Sequence, residues 1–287
     1  MTSASPRHSK QPAIVALSIF LVLAVGCTGL FQSIGARWVT RQIAAEFDLD
    51  EAQMAATRAA VDRIIAAAPG ALGSKVDMLV ATVDAAIAQG LTEKKLLGME
   101  RQVDALLDIV AGGIIDEAAP IMATLRDEQI DFVEARIQTR LDEAREELAE
   151  PKEKRVEKRQ DEFVDAVQDW SGDLGDAQVD ALRKFVAGLP DEAAARLATD
   201  ERRIEAVREV FRKHPDAQTI RDTLWKMWKN REDWGPHARP PRARRAEGRQ
   251  ALLFVYDLLD AEQKDHASEH LHELHDKLKT FLGTAGS

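Results

Sequence analysis

The segment His266-Ala267-Ser268-Glu269-His270 has the residue types of a metal site. Its order, H-x-x-E-H, matches the inverted zinc-protease pattern, in which two imidazoles one helical turn apart share an ion. Enzymes of that pattern take a further acidic ligand well downstream, and only residues 271–287 follow. His266, Glu269 and His270 are therefore candidate metal ligands, with His272, His275 and Asp276 on adjoining faces. The competing reading is a helix whose polar side is rich in histidine. No resident cofactor is expected.

A second cluster mixes cations with aromatics. Trp225, Trp228 and Trp234 stand among Lys226, Lys229 and Arg231, and Arg239, Arg242, Arg244 and Arg245 follow. Residues 226–249 carry eight Lys/Arg against three acids, a net of +5 on a chain whose formal net charge is −10. Guanidinium and ammonium groups among indoles suit phosphates, lipid headgroups or single-stranded nucleic acid. The alternative is that Trp225 and Trp228 anchor the core beside a solvated basic loop.

The third candidate is Cys27, the one cysteine of the chain. It excludes an intramolecular disulfide framework and a cysteine-rich metal cluster. Ahead of it, residues 1–12 carry Arg7 and Lys10 without an acid, and residues 13–26 are apolar and uncharged. A basic n-region, an apolar h-region and small residues at its end form a secretion signal. Ala24-Val25-Gly26-Cys27 resembles a lipobox, which implies that Cys27 is acylated and becomes the mature first residue. Thr28 follows where Asp would imply inner-membrane retention, so the outer membrane is favoured. The alternatives are an uncleaved anchor running from Ala13 to Phe31, about long enough to span a bilayer, and ordinary cleavage of the signal without acylation.

This address bears on the basic cluster. An exported chain meets anionic lipid or an envelope polymer there, and no nucleic-acid partner is expected. The expected partners are thus the membrane, through the N-terminal lipid anchor, and an anionic lipid, polymer or protein partner. No G-x-S-x-G elbow, phosphate-cradling glycine loop or further cysteine nucleophile occurs, and an enzyme is not expected.

The elements that must position these residues read as helices throughout. Apolar residues are 45% of the 287 and charged residues 31%, enough to build a sizeable core and too apolar for a disordered chain. Apolar steps of three and four recur in Met54, Val61, Ile65 and Ala68, a stripe ended by Pro69-Gly70. They resume in Val76 to Ile87, Leu96 to Val110, Ile130 to Leu148, and Leu271 to Phe281. The strand-like run Leu252 to Tyr256 is flanked by helical pattern. Helix starts share a grammar: Leu49-Asp50-Glu51-Ala52-Gln53 and Leu259-Asp260-Ala261-Glu262-Gln263 are capping boxes. Leu125-Arg126-Asp127-Glu128-Gln129 and Leu174-Gly175-Asp176-Ala177-Gln178 are degenerate copies.

The fold class expected is all-α: an elongated multi-helix bundle with a charged protruding helical arm, preceded by the signal or anchor segment. Residues 1–26 form the signal peptide, 27–49 a lipid-anchored tether and 50–287 the helical domain. Within that domain lie the arm at 140–162 and a basic Pro/Arg loop at 230–247. The tether is apolar on two sides, through Phe31, Ile34 and Trp38 and through Val39, Ile43 and Phe47, so it suits either a membrane surface or the core.

Three stretches carry a family resemblance: Phe47 to Gln53, Gln168-Asp169-Trp170-Ser171-Gly172-Asp173-Leu174, and Arg245 through Gln263 to Phe281. With Cys27 they resemble the uncharacterised bacterial lipoproteins of the DUF6279 group. That resemblance implies an envelope address and a helical fold, and no assigned activity. The Leu-x-x-x-Gln elements are more weakly similar to the Spy/CpxP helical periplasmic proteins, which implies a chaperone-like holdase as the second functional expectation. A metal-binding protein or hydrolase through H-x-x-E-H is the third.

Overall fold

The computed structural model of the chain describes residues 29–231 and 239–284, with side chains at 36–231 and 239–280. Ten helices occupy these residues, and no strand occurs among them. In chain order they are α1 (Gly29–Phe47), α2 (Glu51–Gln89), α3 (Glu93–Met122), α4 (Asp127–Ala149), α5 (Lys152–Ser171), α6 (Asp176–Ala187), α7 (Ala193–Phe211), α8 (Ala217–Lys229), α9 (Pro241–Leu258) and α10 (Ala261–Thr284). The protein is an all-α multi-helix bundle.

α2 is the spine. Its 39 residues span about 58 Å at the α-helical rise. The expected break at Pro69-Gly70 does not occur: the helix runs through Pro69 without interruption. The proline removes one intrahelical donor, but the stripe Val61, Ile65, Leu72, Val76, Val80 stays in register across it and is buried on both sides. α1 covers the first part, with Ala36 and Val39 against Val61 and Ile65. α3 and α10 cover the middle, where Leu106, Leu271 and Leu278 meet Leu72, Val76 and Val80. α2 also contains an 18-residue window apolar enough to cross a bilayer by length and composition. Its packing against α1, α3 and α10 makes it the central helix of this bundle.

α10 lies antiparallel to α2. Ser268 and His272 reach Asp84, while His275 and Lys279 reach Asp77, about two α2 turns nearer the N-terminus. At one end of the spine, Ile220 of α8 and Phe211 of α7 close on Ala119, Leu125 and Ile130. At the other, Val164, Val167 and Leu182 of α5 and α6 meet Phe254, Val255 and Leu258 of α9. The rings of Phe185 and Phe254 stack at 4.5 Å between centroids. Burial of each such side chain stabilises the fold by about 1.5–3 kcal/mol.

The charged segment 140–162 runs from the end of α4 through the Glu150-Pro151 junction into α5. This junction is braced by the segment from Val186 to Glu201. Arg155 pairs with Asp191 at 2.8 Å, Arg145 with Glu201 at 2.5 Å, and Arg159 donates to the carbonyls of Val186, Leu189 and Pro190. The basic loop expected at 230–247 ends earlier. Pro241 is the first residue of α9, where a proline's missing N–H costs nothing, so Arg242, Arg244 and Arg245 are helical.

All four helix starts with Leu-x-x-x-Gln form as helix starts, and they do more than cap. Asp50 accepts from the Gln53 amide at 2.9 Å, and Asp260 accepts from Gln263 in the same way. At Arg126 and Gly175 only the glutamine half exists: Gln129 and Gln178 reach back to the cap amides at 3.1 and 3.0 Å. The four glutamines then pair. Gln53 and Gln129, 76 residues apart, exchange amide hydrogen bonds at 3.1 and 2.7 Å. Gln178 and Gln263, 85 residues apart, do so at 2.8 and 3.0 Å. Each also donates to the carbonyl of the residue just before the partner's leucine: Gln53 to Thr124, Gln129 to Asp48, Gln178 to Leu258 and Gln263 to Asp173. The two clasps are thus chemically equivalent, and each is built from two helix starts.

Candidate functional site

The basic cluster meets an acidic ladder. Glu100, Asp104 and Asp108 recur every four residues on α3 and so line one helix face. Arg249 binds Glu100 at 3.0 Å, Arg245 binds Asp104 at 2.7 Å, and Arg231 shares Asp104 at 3.1 Å. Asp108 accepts from Lys229 at 2.8 Å and from the Trp228 indole N–H at 2.7 Å. The Lys229 ammonium, and then the indole, hold the Asp108 carboxyl below the ordinary carboxylate value.

The aromatics take part. Arg231 lies over the Trp228 ring at 4.1 Å and Lys229 over Trp225 at 5.3 Å, both within cation–π range. Trp225 presses on Gly112 of α3, where an added Cβ would meet the indole at 3.3 Å. Arg239 is held by Glu247 at 2.8 Å and Glu192 at 3.2 Å. Of the seven cations proposed for an anionic ligand, Lys229, Arg231, Arg239 and Arg245 are therefore committed to acids of the same chain. Arg244 is also engaged, and Lys226 and Arg242 are exposed without a partner among the described residues. This arrangement is an ionic lock that fastens α8 and α9 to α3. The sequence signal for it was the four-residue spacing of Glu100, Asp104 and Asp108, which composition alone conceals. Trp234 and the rest of 232–238 lie outside the described residues.

Beside the lock runs an apolar groove of about 520 Å³ between α2, α3 and α9. Leu79, Val83, Leu96, Met99 and Val103 form its walls, and Leu252 stands at the rim with more than half its surface exposed. Arg245 and Arg249, with their acids, close one edge.

The histidines separate. His266 lies against Gly172 and His270 meets the Trp170 ring edge-on at 4.9 Å, both facing the end of α5. His275 instead contacts Asp77 at 2.7 Å and His272 contacts Asp84 at 3.2 Å, both facing α2. No group of three or more His, Cys, Asp or Glu side chains among the described residues is placed to hold a metal ion. The expected ligand set His266, Glu269 and His270 is thus not brought together. Helical pitch explains why, since residues 266 and 270 follow one face onto the end of α5 while Asp77 and Asp84 meet the other face at Ser268, His272 and His275. Cys27 lies outside the described residues.

Fold and site together define a class: an all-α bundle closed by paired glutamines, with its basic segment locked internally. A family model, described as a family of unknown function, DUF6279, matches residues 44–239. The chain belongs to that family. No curated protein and no solved structure matches it.

Proposed function

We propose that this protein is a non-enzymatic cell-envelope lipoprotein, tethered through acyl chains on Cys27 and facing the periplasm. Its helical body serves there as an interaction or structural element. The observation that supports this reading is the junction at the N-terminus. The sole cysteine closes an uncharged apolar run, and α1 begins two residues later with its inner face packed on α2. An anchor at that point would hold the body close to the bilayer through a stiff helix. A thioether lipid with further acyl chains exceeds the two-signal requirement for stable attachment. Thr28 after Cys27 favours the outer membrane. The test is mass spectrometry of the mature N-terminus from bacterial membranes. We expect a triacylated Cys27 in the wild type and an unprocessed chain in Cys27→Ala. An unacylated Cys27 in the wild type rejects the proposal.

A second reading, a holdase that shields unfolded clients, draws on the apolar α2–α3–α9 groove. It requires suppression of client aggregation at stoichiometric amounts, and weaker suppression by Leu252→Asp. A chain that leaves aggregation unchanged removes this reading.

A further inference from the structure

α1 carries two faces with different fates. Ala36, Val39 and Thr40 are buried, Ile43 packs with Val61 and Ile65, and Phe47 joins the cluster around Leu125 and Phe211. The Thr40 hydroxyl is satisfied by the Ala36 carbonyl at 2.7 Å, so this face is fully docked. Glu46, paired with Arg136 and Arg140, pins the helix to α4. Of the two apolar sides read from the sequence, the Val39–Ile43–Phe47 side is therefore spent on the core.

The other side faces away from the bundle. Arg37, Trp38, Arg41, Gln42 and Ala45 are exposed, Trp38 by 45%. Neither Arg37 nor Arg41 has an ion-pair or hydrogen-bond partner among the described residues, on a protein where most arginines are paired. An exposed tryptophan set between two arginines that have no partner among the described residues, on a helix whose opposite face is docked, has the composition of a helix lying in a membrane interface.

We propose that the outward face of α1 lies on an anionic phospholipid surface, seating the bundle with α1 parallel to the membrane. The occupant follows from the chain itself. The apolar run of residues 13–26 and Cys27 end two residues before α1, so the chain itself ties the helix to whatever receives that segment. Trp38 lies only about 14 Å along the helix from Gly29. The chain's net charge of −10 opposes approach to anionic lipid, and Arg37 and Arg41 reverse that locally. α1 then acts as a washer between bilayer and spine, and it fixes which side of the bundle faces the periplasm. The inference rests on the tether reading.

The test uses full-length protein purified from bacterial membranes and reconstituted into vesicles of phosphatidylethanolamine and phosphatidylglycerol. A bimane is attached to a cysteine introduced as Gln42→Cys on α1 or as Asp180→Cys on the exposed face of α6, and quenched by headgroup nitroxide lipid. Fractional quenching at position 42 is expected to exceed that at 180 by about threefold or more, as for an interfacial helix. Adding Arg37→Glu and Arg41→Glu should reduce the quenching at 42 without changing helix content. Equal quenching at both positions, or quenching at 42 indifferent to those charge reversals, overturns the inference while leaving the tether intact. Protein that fails to float with the vesicles overturns both.

Discussion

At the scale of single residues, the glutamine is the unit that organises this protein. Gln129 is 1% exposed, and its side chain meets Gln53, the Asp48 carbonyl and the Arg126 amide at once. A primary amide suits this place because it donates and accepts in one plane, so two of them dimerise while each still serves a backbone group. A carboxylate could not donate, and a hydroxyl could not reach both partners. Gln129→Ala leaves buried donors and acceptors on both sides of the clasp without partners. The expected loss is about 2–4 kcal/mol in urea unfolding. The double variant Gln53→Ala/Gln129→Ala should lose less than the sum of the single losses, with a coupling of about 1–3 kcal/mol. Additive losses would show that the pair does not act as a unit.

At the scale of elements, the sequence displayed the helices and hid their partners. The apolar stripes fixed helix identity from Met54 to Leu274 because helical period is local. The capping boxes at Asp50 and Asp260 were legible for the same reason. The continuity of α2 through Pro69 was not, since it depends on α1, α3 and α10 packing along both sides. The reciprocity of Gln53 with Gln129 and of Gln178 with Gln263 was also concealed. Each motif announces a helix start, and nothing local announces its mate. The histidines misled because H-x-x-E-H is spaced like a ligand set while its neighbours in space are Trp170 and Gly172.

Two other histidines of α10 matter to how it holds α2. The Asp77 carboxyl is drawn below the ordinary value of 3.8 chiefly by its hydrogen bond from His275, and Asp84 chiefly by that from Ser268. A carboxyl with a depressed folded-state pKa stabilises above its unfolded value and loses that contribution as pH falls through the folded value. α10 should therefore remain protected from hydrogen exchange at neutral pH and loosen on acidification below pH 3.8. In Asp77→Asn/Asp84→Asn it should be looser already at neutral pH, and the difference from wild type should vanish in acid. A difference that persists in acid would assign the effect to something other than these two carboxylates.

At the scale of the whole molecule, the clasps stand at opposite ends of one spine. Gln53 is in the first turn of α2. Gln263 lies five residues ahead of Ser268, which binds Asp84 near the other end of α2, and α10 runs antiparallel to it. The clasps are therefore separated by about the 36 residues from Gln53 to Gln89, or roughly 54 Å of helix. Between them the bundle is held by the buried stripe of α2 and, along α3, by the ionic lock. This layout makes the two clasps independent fasteners on a shared core. Perturbations that far apart with no shared partner add to within about 0.5 kcal/mol. Gln129→Ala combined with Gln178→Ala should accordingly cost the sum of the separate losses, in contrast to the coupled pair within one clasp. Hydrogen exchange should show the same division: Gln178→Ala opens the starts of α6 and α10, while the starts of α2 and α4 keep wild-type protection. If opening one clasp also released the other, α2 would be transmitting strain along its length, and the bundle would behave as a two-ended switch rather than as a rigid body pinned twice.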